Sequence, residues 1–112
     1  MLLKDYPVVL PDYILTLEEL SPENCLFFDI ETTGLSWKTS HLYLLGAVFY
    51  ENETWIHRQW FCQKPGEEKE VLLAFSELLS TKKLLFHYNG TTFDVPYLMH
   101  KYTFYQLPSP WE

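Results

Sequence analysis

The 112-residue chain is poor in basic residues, cysteine and glycine, and it has no long apolar run. Eight Lys and Arg stand against 15 Asp and Glu, for a formal net charge of −7. This balance excludes a nucleic-acid binder that works by broad basic coverage. It leaves open an acidic cleft whose bound cations face phosphates. The two cysteines, Cys25 and Cys62, lie in apolar stretches and in no CxxC or Cys/His pattern. Zinc is therefore not indicated, and two free thiols in a reducing cytoplasm are expected rather than a disulfide. Four glycines supply no dinucleotide-binding fingerprint. The longest uninterrupted apolar stretch, Leu42 to Tyr50, is far below the ~20 residues a membrane-crossing helix needs. The first residues, with Asp5, Pro7 and Pro11, make a poor signal peptide. A cytoplasmic location without a membrane partner is the expectation.

What is present suffices for one domain. Apolar residues make up 47% of the chain and aromatics 18%, enough to fill a core and too much for a disordered segment. The first twenty residues, broken by two prolines, read as an irregular arm, with a short helical turn over Leu15–Leu20. Ser21-Pro22-Glu23-Asn24 is turn material, so residues 1–24 form the arm and residues 25–112 the domain. Cys25–Ile30 is short, apolar and aromatic and predicts a buried strand. A second strand follows over His41–Tyr50, interrupted at Gly46. After the turn Glu51-Asn52-Glu53 a third runs over Thr54–Cys62. There Trp55, His57, Gln59 and Phe61 alternate with Ile56, Arg58 and Trp60. The three strands read as an antiparallel meander.

Pro65-Gly66 ends the meander, and a helix is predicted from Glu67 to Ser80. Its acidic start suits the positive helix end, and Val71, Leu72, Phe75, Leu78 and Leu79 recur at helical spacing. Leu84–Tyr88 predicts a fourth strand. The intervening helix makes it parallel to the first. A second helix opens near Asp94 and Pro96 and runs to Tyr102. The fold class is α/β, a mixed sheet with helix on at least one face.

Three acids stand out. Asp29 and Glu31, two apart at the end of a strand, project from the same face. Like charges so close resist joint ionisation unless a cation neutralises them, and carboxylate oxygens suit Mg²⁺ or Mn²⁺. Two solvated carboxylates at a strand end are the plain alternative. Asp94 has a strong plain alternative too: Asp is a preferred helix N-cap, and Pro96 fits the first turn. If the first and fourth strands are neighbours, both end at one sheet edge, where open α/β sheets place their sites, and Asp94 joins Asp29 and Glu31 there.

Phe28-Asp29-Ile30-Glu31-Thr32-Thr33-Gly34-Leu35 resembles the first motif of the DEDD exonucleases of the ribonuclease H-like superfamily. Tyr88-Asn89-Gly90-Thr91-Thr92-Phe93-Asp94 resembles their second. The likeness is strongest to the YprB-type ribonuclease H-like exonucleases and covers Leu26 to Tyr102. It implies a ribonuclease H-like mixed sheet and a 3′–5′ exonuclease acting on single-stranded DNA or RNA ends by a two-metal mechanism with Mg²⁺ or Mn²⁺. By the same resemblance Asp29 is shared by both ions, Glu31 holds the ion that positions the attacking water, and Asp94 contacts the second ion directly or through water. Thr32, Gly34, Leu35 and Asn89 are implied to meet substrate. For Leu35 a core role, and for Asn89 a turn role, stand beside that reading. His87 reads as a packed core histidine, and Lys82 and Lys83 as solvated charges rather than phosphate contacts.

The family's third motif, an Asp preceded by a His or Tyr general base, has no match after Asp94, where Glu112 is the sole acid. The chain therefore reads as a C-terminally incomplete domain. Its hydrolysis is expected to be slow or absent, and its fourth strand to leave an edge that favours a homodimer or domain swap. The competing function is a non-catalytic module that keeps the fold and binds nucleic acid or protein.

Overall fold

A computed structural model describes residues 1–9, 22–82, 84–87 and 93–111, the backbone alone for 84–87. Five strands form one mixed sheet. They are β1 (Leu2–Val8), β2 (Cys25–Thr32), β3 (Leu42–Glu51), β4 (Thr54–Phe61) and β5 (Leu84–His87), in spatial order β1-β4-β3-β2-β5. The β2-β3-β4 meander is antiparallel, and β5 pairs parallel to β2 from Cys25↔Leu84 to Phe28↔His87. Helix α1 (Glu68–Leu79), entered through a 3-10 turn at Pro65–Glu67, makes the crossover between β4 and β5. Helix α2 (Val95–Phe104) follows β5. This is the mixed α/β sheet expected, with β2 and β5 adjacent and parallel.

The alternation along the strands sorts the two faces. Leu26, Phe28 and Ile30 of β2, Leu45, Ala47 and Phe49 of β3, and Trp60 of β4 are buried with Val71, Leu72 and Phe75 of α1 and Tyr97, Leu98 and Tyr102 of α2. Both helices therefore share one core. The Tyr102 hydroxyl ties them: it donates to the Leu72 carbonyl at 2.7 Å and accepts from Ser76 Oγ at 2.7 Å. The other face of β2 carries Phe27, Asp29 and Glu31. Cys25 and Cys62 form no disulfide, and the Cys62 thiol is pushed up to about 12 by burial and neighbouring glutamates.

Several expectations need correction. Residues 2–8 are no irregular arm: β1 pairs antiparallel with β4 from Leu2↔Phe61 to Val8↔Trp55, and Arg58 donates two bonds to Asp5 at 2.8 and 2.9 Å. Prolines signal a break in a central strand, but β1 is an edge strand, where the missing N–H of Pro7 is tolerated. The helical turn at Leu15–Leu20 lies outside the described residues. Gly46 does not interrupt β3, which runs through it. Strand β2 continues two residues past Ile30, across a register shift between Glu31 and Thr32. Helix α2 runs two residues past Tyr102.

Candidate acidic site at the end of β2

The site is built just past the last described pair of the β2–β5 ladder, Phe28↔His87. The Ile30 N–H there meets carboxylates: Asp29 Oδ1 at 3.0 Å and Asp94 Oδ2 at 3.3 Å. Asp94 occupies the N-cap position of α2, yet its side chain makes no capping hydrogen bond. The cap reading is thereby corrected. The carboxylate turns from its own helix to the strand, and only 3% of the residue is exposed.

Burial, then the charge of Asp29 and a hydrogen bond with its carboxyl, push Asp94 up to about 7; the Ile30 N–H opposes this, and Glu31 adds to it. Asp94 thus holds its proton well above the ordinary carboxylate range, because it is buried against the Asp29 charge. The repulsion between the two carboxyl groups is relieved by a proton on Asp94 or by a cation. Their oxygens are hard donors of the kind Mg²⁺ and Mn²⁺ take, so the donor chemistry fits a divalent ion. Glu31 projects from the same face as Asp29 and is exposed. Among the described residues no group of three His, Cys, Asp or Glu is arranged to hold a metal ion. The contact pair is Asp29 and Asp94, with Glu31 adding its field.

Asp29 and Glu31 look into a groove of about 320 Å³ on the sheet face away from the helices, together with Phe27, Gly46 and His57. Gly46 is the cross-strand partner of Asp29. A Cβ at Gly46 would lie 3.2 Å from His57 Nε2, so the missing side chain makes room for the imidazole. The sequence reading passed over His57 as one member of an alternating strand. The strand alternation placed it on this face; its register partner is Val48, and its imidazole reaches over Gly46 into the groove that the acids line.

The loop after Glu31 is tightly fixed. Thr32 Oγ1 donates to the Gly34 carbonyl at 2.7 Å. The Thr33 N–H donates to the His41 carbonyl, and the His41 N–H to Thr33 Oγ1, each at 2.9 Å. A Cβ on Gly34 would meet Ser40 Cβ at 3.3 Å, so this glycine has a packing reason of its own. Leu35 is 87% exposed, which removes the core role weighed for it. Asn89, with the rest of 88–92, and Lys83 lie outside the described residues, as does the side chain of His87. Lys82 is not a free cation: its Nζ donates to the Glu23 carbonyl at 2.9 Å.

A buried ion pair holds the loop to both helices. Glu68 and Lys101, 3% and 4% exposed, approach to 3.0 Å. Lys101 Nζ also donates to the Ser40 carbonyl at 3.0 Å, and Glu68 accepts from the Leu42 N–H at 2.8 Å and the Tyr105 hydroxyl at 2.5 Å. The Tyr105 hydroxyl is raised by burial and by Glu68. Sequence gave no sign of this network, because its members come from three separate segments.

An antiparallel meander extended by a parallel strand, with acids gathered at the tip of its first strand, defines a class. A family model of the RNase H superfamily matches residues 26–111, and the chain belongs to that superfamily. It is similar to the uncharacterized protein YprB of Bacillus subtilis (strain 168), 32% identical over 93 residues that cover 81% of this chain and 22% of that protein. The chain thus spans about a fifth of that relative's length.

Proposed function

We propose that this domain is a nuclease of the DEDD 3′–5′ exonuclease type, hydrolysing phosphodiester bonds at the ends of single-stranded DNA or RNA with the help of divalent ions. Membership of the RNase H superfamily supports nuclease-like chemistry on nucleic acid. The observation that carries the finer reading is the Asp94 carboxylate, which leaves its own helix uncapped and joins Asp29 at the end of β2. A plain N-cap has no reason to accept burial beside another carboxylate, where it is penalised.

In this reading Asp29, Glu31 and Asp94 hold Mg²⁺ or Mn²⁺. The ions supply charge stabilisation at phosphorus and a water of lowered pKa. The chain's own part is to bring the acids together and to fix their surroundings. The Ile30 N–H orients both Asp29 and Asp94. The closed turn at Thr32–Gly34 sets the backbone next to Glu31, and Leu35, standing out in solvent, is placed to meet a terminal base. Asn89 belongs to the same proposal. Asp94 gives up its proton when a cation binds.

The test is to incubate end-labelled single-stranded DNA and RNA with Mn²⁺ and compare wild type with Asp29→Ala and Asp94→Asn. The expected result is end-shortening that needs the metal and falls at least 100-fold in either variant. Equal rates in all three proteins would sink the reading. The second reading, a binding module without hydrolysis, is favoured by the fact that two acids rather than three are in contact. Metal-dependent binding of the labelled strands without shortening supports it.

A further inference from the structure

Both chain segments that carry the acids also carry aromatic rings, half-buried Trp37 on one and exposed His100 and Phe104 on the other, and these meet. Trp37 lies on the loop that leaves β2 just after Glu31, and His100 lies on α2, whose N-cap position is Asp94. Their rings stack, with centroids 5.2 Å apart and planes within 6°. Phe104, one helical turn further on, leans against Trp37 at 6.1 Å and is itself 62% exposed. His100 is exposed, so the stack has an outer surface open to solvent.

Around these rings the charge departs from that of the molecule. The adjoining groove, about 230 Å³, is lined by Lys38, His41 and Lys101 against a single acid, Glu68. Glu68 and Lys101 satisfy each other. That leaves Lys38, whose Nζ sits 5.8 Å from the Trp37 ring centroid, as the cation facing outward in a chain of net charge −7. Stacked rings with an adjacent cation match the two parts of a nucleotide in a single strand: a base with a π face and a phosphate. A peptide would gain little from such a surface beyond hydrophobic contact.

Position strengthens the match. His100 is six residues along a helix from Asp94, a rise of about 9 Å. That separation is on the scale of one or two nucleotides in an extended strand. We infer that the Trp37–His100–Phe104 cluster is a base-stacking platform for single-stranded nucleic acid, with Lys38 its phosphate contact. It would hold a nucleotide one or two positions from the one at the acid pair. This rests on the proposed nucleic-acid reading of the acidic site and adds where the strand runs.

The platform is tested by fluorescence anisotropy with fluorescein-labelled eight-residue oligothymidylate and oligouridylate in Ca²⁺, alongside an octamer of abasic sites. Wild type is expected to bind both base-bearing strands at least fivefold more tightly than the abasic one. His100→Ala, Phe104→Ala and Trp37→Ala should each lose fivefold or more, as loss of one base–aromatic stack requires. Trp37→Phe, which keeps a ring, should hold most of the affinity, separating loss of stacking from loss of fold. A stronger effect on one of the two sugars tells DNA from RNA. Affinities unchanged in the exposed-ring variants, equal binding of the abasic strand, or no binding by wild type would overturn the platform. Intact platform variants combined with cleavage lost in Asp29→Ala would sink the platform alone. Base-dependent binding sensitive to His100, with no cleavage by wild type, would sink the hydrolase reading alone.

Discussion

Asp94 shows how one residue can hold two roles in a sequence and only one in a structure. Asp followed closely by Pro reads as a helix start, and it is one, but the carboxylate is directed elsewhere. Its raised pKa has a stability consequence with a definite sign. Between its ordinary value of 3.8 and about 7, the folded protein keeps a proton that the unfolded chain gives up. Its contribution to stability is therefore complete below about pH 4 and is lost as pH rises through 7. Asp5, lowered by its bonds to Arg58, acts in the opposite direction, so the slope must be read as a difference between proteins. Chemical denaturation at pH 4.5 and 7.5 is expected to show wild type losing stability relative to Asp94→Asn at the higher pH. If both acids hold a cation, Mn²⁺ at pH 7.5 restores wild type and leaves Asp94→Asn unmoved.

At the scale of elements, the join between the Thr33–His41 loop, α1 and α2 depends on Glu68 and Lys101. Removing one member of a buried pair strands the other, at a cost of about 3–5 kcal/mol. Lys101→Ala is therefore expected to lower the thermal midpoint sharply, whereas Lys38→Ala, on the exposed side of the same groove, leaves it within experimental error in differential scanning calorimetry. The elements themselves were legible in the sequence to a useful degree. Alternation along Thr54–Phe61 sorted its two faces, helical spacing found α1, and the Asp29/Glu31 spacing placed both acids on one face. What was not legible has a common cause. Strand β1 is stabilised by its partner β4 rather than by its own composition, which Pro7 makes look irregular. The Asp94–Ile30 bond, the Lys101–Glu68 pair and the Trp37–His100 stack each join residues distant along the chain, and no local pattern encodes them.

For the whole molecule, the described sheet has two edges of different character. On one side β1 presents Pro7 and Lys4, devices that discourage further pairing. On the other lies β5, four residues long and paired on one side by β2. We propose that a second copy pairs along that edge, as a sheet edge invites. Light scattering behind size exclusion should give a mass near twice 13.4 kDa at micromolar concentration, and a single monomeric peak across dilutions would count against it.

The division of the acids between strand and helix has a consequence for approach. Asp29 and Glu31 stand on the open side of the sheet, while Asp94 comes from the start of α2 and reaches the Ile30 N–H of the strand. A guest held by both sets cannot lie flat on either side. Under the proposed function it straddles the rim of the sheet, a path that suits a strand entering by its end.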